Sequence, residues 1–153
     1  MNLVTDKKIG ESKLDKYSKM YLKIASSLAE ESQDKRLKVG CVFVKDRTII
    51  VEGINGTLRG WETNVCENKD NDTADYTVQS EMNAILKAAR IGRPLDGSTL
   101  YVNIAPCVKC SKHLIGVGVK EVIFSNKFKN ELGTDLLIKA GVKVTQLNLS
   151  NNH

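Results

Sequence analysis

With 153 residues, 41% of them hydrophobic, the chain can bury one ordinary core unaided, and four cysteines arranged around a single C-x-x-C do not make a secreted disulfide framework. The formal charge of +5 comes from lysines interleaved with acids rather than from a basic run, and aromatic residues are only 5%, which argues against a base-stacking nucleic-acid surface. No apolar run approaches the roughly 18 residues of a membrane span, so we expect one soluble, cytoplasmic domain over residues 1–153, with its core from about 13 to 147.

Between Lys13 and Ser32 the apolar residues Leu14, Tyr17, Tyr21, Ile24 and Leu28 recur at intervals of three and four, which predicts an amphipathic helix. The β-branched runs VGCVFV (39–44) and TIIVEGI (48–54), separated by polar KDR, predict a hairpin with Cys41 as a buried small hydrophobe. Residues 55–75 are rich in Asn, Asp, Gly and Thr and have no period; a loop of that length usually serves a site. Beyond it the pattern predicts a helix from about Ser80 to Ile91, a strand over 98–104 and a helix opened by PCVKC. A strand at EVIF, a helix around Glu131 to Ala140, the strand VKVTQLNL and a frayed tail over Asn148 to His153 complete the chain. Alternating strands and helices predict an α/β domain with helices on both faces of a mostly parallel sheet.

The chemistry concentrates at Pro106-Cys107-Val108-Lys109-Cys110. Proline suits the first position of a helix, and thiols at a helix N-terminus meet unpaired amides and the positive dipole end, which favour thiolate. Three readings compete for the pair. A structural zinc site lacks a second Cys or His pair nearby, since Cys66 is isolated and the two histidines are His113 and the terminal His153. A thioredoxin-like dithiol also follows a strand and opens a helix, yet no aromatic precedes Cys107 and no proline lies downstream. The third is a hydrolytic zinc site with an open coordination position.

Upstream, Gln79-Ser80-Glu81 opens a helix, so the two segments are similar to the H-x-E…P-C-x-x-C signature of zinc-dependent nucleobase deaminases. Together with KVGCVFV, VEGINGTLRGW, SEMNAILKAAR and STLYVNIAPCVKCSKHLIGVGVKEVIF, the chain resembles the deoxycytidylate (dCMP) deaminase family from about Leu37 to Phe128. The resemblance implies a three-layer α/β/α cytidine-deaminase-like fold with a five-stranded mixed sheet. It further implies zinc held by three protein ligands, and hydrolysis of dCMP to dUMP with release of ammonia. Residue by residue it carries over Cys107, Cys110 and position 79 as metal ligands, and Glu81 as proton shuttle. Asn55 then stands as a sugar contact, Arg59 as a candidate for the 5′-phosphate and Phe128 as an aromatic near the pocket. Arg90 falls near subunit contacts and the effector site. Homo-oligomers, often hexamers, and control by dCTP and dTTP are implied in the same way.

Position 79 departs from the family's histidine. Glutamine keeps the formal charge of the site but offers a hard, weak amide oxygen in place of an imidazole nitrogen. Changes behind metal ligands already cost about 10- to 100-fold in affinity or activity, so a changed ligand is expected to cost at least the upper end of that range. His113, one turn beyond Cys110, points away from the metal end, and Ser80 could cap the helix with Gln79 just outside it. Three other functions stay open at this level: a non-catalytic nucleotide-binding protein, a tRNA adenosine deaminase, and a thioredoxin-like redox protein.

Overall fold

The computed structural model describes residues 5–6 and 13–149; the side chain of Leu14 and the tail from residue 150 onward lie outside the described residues. In chain order the elements are β1 (Thr5–Asp6), α1 (Lys13–Glu30), β2 (Gly40–Lys45), β3 (Thr48–Ile54), β4 (Gly56–Thr57) and β5 (Thr77–Val78). They continue with α2 (Ser80–Ile91), β6 (Thr99–Ile104), α3 (Val108–Gly116), β7 (Glu121–Asn126), α4 (Leu132–Lys139) and β8 (Lys143–Gln146).

Five strands make the mixed sheet in the order β8-β7-β6-β2-β3, and the two-residue β1 adds a parallel sixth at the β8 edge. β6, β7 and β8 run parallel, while β2 lies antiparallel to both β3 and β6. The β2–β3 turn has two residues, Asp46 and Arg47, with φ of 51° and 58°, the mirror-image turn that matches strand twist. Neither is glycine. Arg47 is held there by its guanidinium over the Tyr17 ring at 4.6 Å and by its carbonyl, which accepts a 3.0 Å hydrogen bond from the Tyr21 hydroxyl.

Strand alternation sorts β2 into two cores. Val42 and Val44 point to one face, where Tyr21 and Leu22 of α1 pack with Tyr101, Ile123 and Leu147. Cys41 and Phe43 point to the other, among Ala84 and Ala88 of α2, Leu114 of α3 and Leu137 of α4. That is the expected α/β/α sandwich, with Cys41 buried in the core as a small hydrophobe.

Several boundaries differ from the sequence expectation. β8 spans Lys143–Gln146 and stops at the fifth residue of the VKVTQLNL run; just beyond it Leu147 N–H still donates to the Phe124 carbonyl at 2.8 Å. The 55–75 loop begins inside a small two-stranded ribbon, where β4 pairs with β5. α2 starts at Ser80 with Gln79 as its N-cap residue, so Ser80 is helical rather than the cap. Its hydroxyl is drawn to Glu81 and is not free to cap.

Candidate active site

In a sheet with parallel strands, clefts form outside their carboxyl ends, where the chain turns into the next helix. Here β6 ends at Ile104 and Cys107 caps α3, while α2 starts just after β5. A cavity of about 570 Å³ opens at this point, of a size suited to a small-molecule ligand. Gln79, Ser80 and Glu81 line it from α2, Cys107 and Cys110 from α3, and Phe128 from the segment after β7. Asn55 reaches it from the end of β3. Gln79 and Glu81 therefore share one cavity with Cys107 and Cys110, 26 to 31 positions further along the sequence, as the two-segment motif requires.

Close packing sets the first turn of α2. Gly53 of β3 lies so near it that a Cβ there would collide with the Ser80 carbonyl oxygen. Asn83 Nδ2 donates to the Ile54 carbonyl at 2.8 Å, fixing the helix along the strand. Glu81 is thereby buried, only 4% exposed, with Oε1 accepting a 2.7 Å hydrogen bond from the fully buried Ser80 hydroxyl. Burial raises the Glu81 carboxyl above the usual carboxylate range, and the charge of nearby Cys107 adds to this against the Ser80 bond.

The two thiols of α3 divide one proton between them. Hydrogen bonding with Cys110 brings the half-buried Cys107 thiol down to about 5 against the cost of burial, helped by the backbone amides at the start of α3. The sulfur closes no capping hydrogen bond, so these amides act on it as nearby partial charges. Cys110 is pushed up by the same pairing, by burial and by Glu81. Cys41, behind them in the core, is raised by burial.

Two sulfur donors side by side, one of them already biased toward thiolate, suit a soft divalent metal that would displace the second proton. A third strong donor is missing: among the described residues no group of three or more His, Cys, Asp or Glu side chains comes together as a metal site. His113 of α3 does not line the cavity, and neither does Cys66. Gln79 does, and its side chain makes no capping hydrogen bond. The donor set is thus two thiolates with one carboxamide available beside them, a weaker set than three nitrogen or sulfur ligands.

Other site expectations separate in space. Asn55 is 8% exposed and its carboxamide is largely engaged, with Oδ1 accepting from Ser32 Oγ at 2.6 Å and from Val39 N at 2.9 Å. Its Nδ2 donates to the Leu37 carbonyl at 2.7 Å, which leaves one N–H for the cavity. Arg59 does not line this cavity. It faces outer depressions of about 330 and 790 Å³ beside Trp61, whose ring stacks on Tyr76 with centroids 5.4 Å apart. Arg90 lines the larger of these with Arg59 and Lys87.

The cations that do line the cavity are Arg36, Lys127 and Lys129. Arg36 is committed to the long loop: Nη2 donates to Thr73 Oγ1 at 2.7 Å, Nη1 to the Asn71 carbonyl at 3.2 Å, and Nε lies 3.7 Å from Glu67. Lys127 has a loose 3.9 Å ion pair with Glu131, and Lys129 Nζ sits 5.6 Å from the Phe128 ring centre. Sequence reasoning missed all three. The Lys-Phe-Lys triplet after β7 was the available signal.

The chain matches the family model described as "Cytidine and deoxycytidylate deaminase zinc-binding region" over residues 15–126. "ComE operon protein 2" of Bacillus subtilis (strain 168) is 35% identical over 127 residues, covering 80% of this chain and 66% of that protein. "Deoxycytidylate deaminase" of Saccharomyces cerevisiae is 32% identical over 141 residues, covering 85% of this chain and 44% of the yeast enzyme. The chain therefore spans about two thirds of the first and under half of the second. The crystal structure of dCMP deaminase from the cyanophage S-TIM5 in complex with dCMP and dUMP has a TM-score of 0.83 at 37% identity, covering 86% of this chain and 96% of that one. Since the matched region takes in α1 to β7 and both motif segments, the chain belongs to the cytidine and deoxycytidylate deaminase family.

Proposed function

We propose that the chain is a deoxycytidylate deaminase, replacing the 4-amino group of dCMP by oxygen from water to give dUMP and ammonia. The observation that carries this reading is a buried carboxyl, Glu81, sharing one cavity with the paired thiols of Cys107 and Cys110. Those thiols would hold zinc, with the Gln79 carboxamide as a weak third donor, and the bound ion supplies Lewis acidity toward water at near-neutral pH. Glu81 takes a proton from the attacking water, delivers it to ring nitrogen N3, and later protonates the departing amine. Its raised proton affinity suits a group that must both accept and return a proton.

The remaining contacts follow the lining of the cavity. Asn55 directs its free N–H toward the sugar, Phe128 packs against the nucleotide, and Lys127 and Lys129 at either side of it supply positive charge for the 5′-phosphate. Arg59, which lines the neighbouring depressions and not this cavity, is not given that task in this reading. With Arg90 it belongs instead to a surface for an effector nucleotide such as dCTP or dTTP, or for contact between copies in a homo-oligomer.

Ammonia release from dCMP, deoxycytidine and an anticodon-loop RNA, each with and without added Zn²⁺, tests the proposal. Zinc-dependent turnover of dCMP in preference to the other two is the expected result. Nucleotide binding without turnover under any metal condition would assign the chain to the non-catalytic reading.

A further inference from the structure

Gly133 stands buried in the first turn of α4, in helical backbone that does not itself call for glycine. Inside a helix glycine is a poorer choice than alanine, because it has more conformational freedom to lose. The reason for it is tertiary. A Cβ on Gly133 would strike the Pro106 carbonyl oxygen and stand only 2.7 Å from the carbonyl carbon and 2.9 Å from the carbonyl oxygen of Cys107. α4 therefore begins in direct backbone contact with the peptide that opens α3.

That peptide has little room to give way. The Pro106 side chain is fully buried, and the Cys107 carbonyl accepts a hydrogen bond of the first turn of α3, from Ser111 N–H at 2.9 Å. On its open side Cys107 and Cys110 line the cavity. α4 is joined to β7 by residues 127–131 alone, of which Lys127, Phe128 and Lys129 line the same cavity. Asn130 Oδ1 accepts Leu132 N–H at 3.1 Å, which ties that segment to the same first turn. A side chain at 133 must either push the Cys107 peptide toward the cavity or push α4 back together with the segment that leads into it.

We propose that Gly133 is a positioning residue for the metal-ligating thiols: its missing side chain lets α4 serve as the backstop that holds Cys107 beside Cys110 and at a set distance from the Lys127–Lys129 segment. This role rests on the deaminase reading, in which those thiols hold the metal.

The test uses Co²⁺, whose sulfur-to-metal charge-transfer absorption reports thiolate coordination, on wild type, Gly133→Ala and Gly141→Ala. Gly141 follows α4 with φ of 89° and open space at its Cβ, so alanine there strains the far end of the same helix without touching α3. Where all three are folded, Gly133→Ala is expected to bind Co²⁺ about 10- to 100-fold more weakly with an altered thiolate band, and Gly141→Ala to bind as wild type. The urea midpoint of Gly133→Ala is expected to fall as well, against the gain that helix propensity alone would give. A Gly133→Ala protein with wild-type Co²⁺ affinity and band overturns the proposal, as does an equal loss in Gly141→Ala, which points to general loosening of α4. Should Gly133→Ala not fold, wild type decides. Cd²⁺ titration is then expected to shift the amide resonances of Gly133 and Thr134 and to leave that of Gly141, and unmoved Gly133 and Thr134 resonances overturn the proposal. Wild type without a cobalt–thiolate band sinks the deaminase reading, and the metal-free Cys107 and Cys110 amide resonances then decide on Gly133. They are expected to move in Gly133→Ala and hold in Gly141→Ala, and constancy in both overturns the proposal.

Discussion

Ser80 Oγ donates a 2.7 Å hydrogen bond to Oε1 of its neighbour Glu81, and both side chains are closed to solvent at the start of α2. The bond orients a carboxyl whose burial favours the neutral form. Replacing Glu81 by Gln keeps the shape and removes the proton acceptor. Turnover of dCMP is expected to fall about 10²- to 10⁴-fold. Stability of the chelator-treated protein moves the other way. A carboxyl whose folded pKa is raised contributes its full stability at acid pH and loses it as pH rises, and Gln mimics the neutral form throughout. Thermal melts should therefore coincide below about pH 4.5, the ordinary carboxyl value, and favour the Gln variant increasingly above it. Melts that differ equally at all pH values would show that burial of Glu81 is not the cause.

Restoring histidine at position 79 replaces a weak amide donor by an imidazole at the cap of α2, beside the Cys107 and Cys110 thiols. Bound zinc after dialysis against a mild chelator should rise to near one per chain, and dCMP turnover at limiting zinc should rise by about 100-fold or more. Equal metal content and equal rates in the two proteins would mean that the carboxamide is an adequate ligand in this setting.

How far these features could be read in the sequence depends on whether their cause is local. The alternation of Cys41, Val42, Phe43 and Val44 announces a strand buried on both faces, and the structure divides those residues between two cores. The pairing of Gln79-Ser80-Glu81 with Cys107 and Cys110 was legible because each motif opens a helix, and parallel strand ends bring such openings together. Where Arg59 lies, on the neighbouring depressions rather than on the cavity, depends on contacts that are not local. Its loop carries the Trp61–Tyr76 stack and the β4–β5 ribbon, and both depend on partners far along the chain. Arg36 and the two lysines beside Phe128 approach the cavity through tertiary packing alone, and no periodicity marks them. Asn55 could be singled out in the sequence and it lines the cavity, but its hydrogen bonds to Ser32, Leu37 and Val39 are assembled only by the folded chain.

Cys107 should stand out chemically in the metal-free protein. Its thiol is held at about 5, against an ordinary value near 9, so alkylation by iodoacetamide should proceed well at pH 6 and slow only as pH falls through about 5. Cys110 and Cys41, both buried and both raised, should remain unmodified over that range. Mass spectrometry of peptides after timed quenching reads this directly. Equal labelling of Cys107 and Cys110, or a Cys107 midpoint above pH 8, would contradict the shared-proton arrangement.

Lys127 and Lys129 should control recognition of the phosphate rather than chemistry on the base. Two exposed lysines sharing one phosphate are worth about 1.5 to 3 kcal/mol together, the range of a charge-assisted contact. Changing both to alanine is expected to raise KM for dCMP by about 10- to 100-fold with little change in kcat, and to leave the kinetics of deoxycytidine as they were. A parallel loss with deoxycytidine would indicate that the segment around Phe128 had shifted. No loss with either substrate would send the phosphate to Arg36 or elsewhere.

Gly53 links the packing of the sheet to the geometry of the site. Because a Cβ at this position meets the Ser80 carbonyl and the Ala84 side chain, Gly53→Ala must push the first turn of α2 away from β3. Overpacking of this kind costs about 1 to 3 kcal/mol, and the displaced residues are the ones that carry Gln79 and Glu81 into the cavity. Both stability and turnover should therefore fall together. Gly60, where φ is 76° and a Cβ would meet nothing within 4 Å, provides the control, since alanine there strains a loop backbone without touching α2. Urea melts and dCMP kinetics on the two variants separate the effects. If Gly53→Ala loses stability but keeps wild-type turnover per folded molecule, the close approach of β3 to α2 serves the fold alone and does not set the position of Glu81.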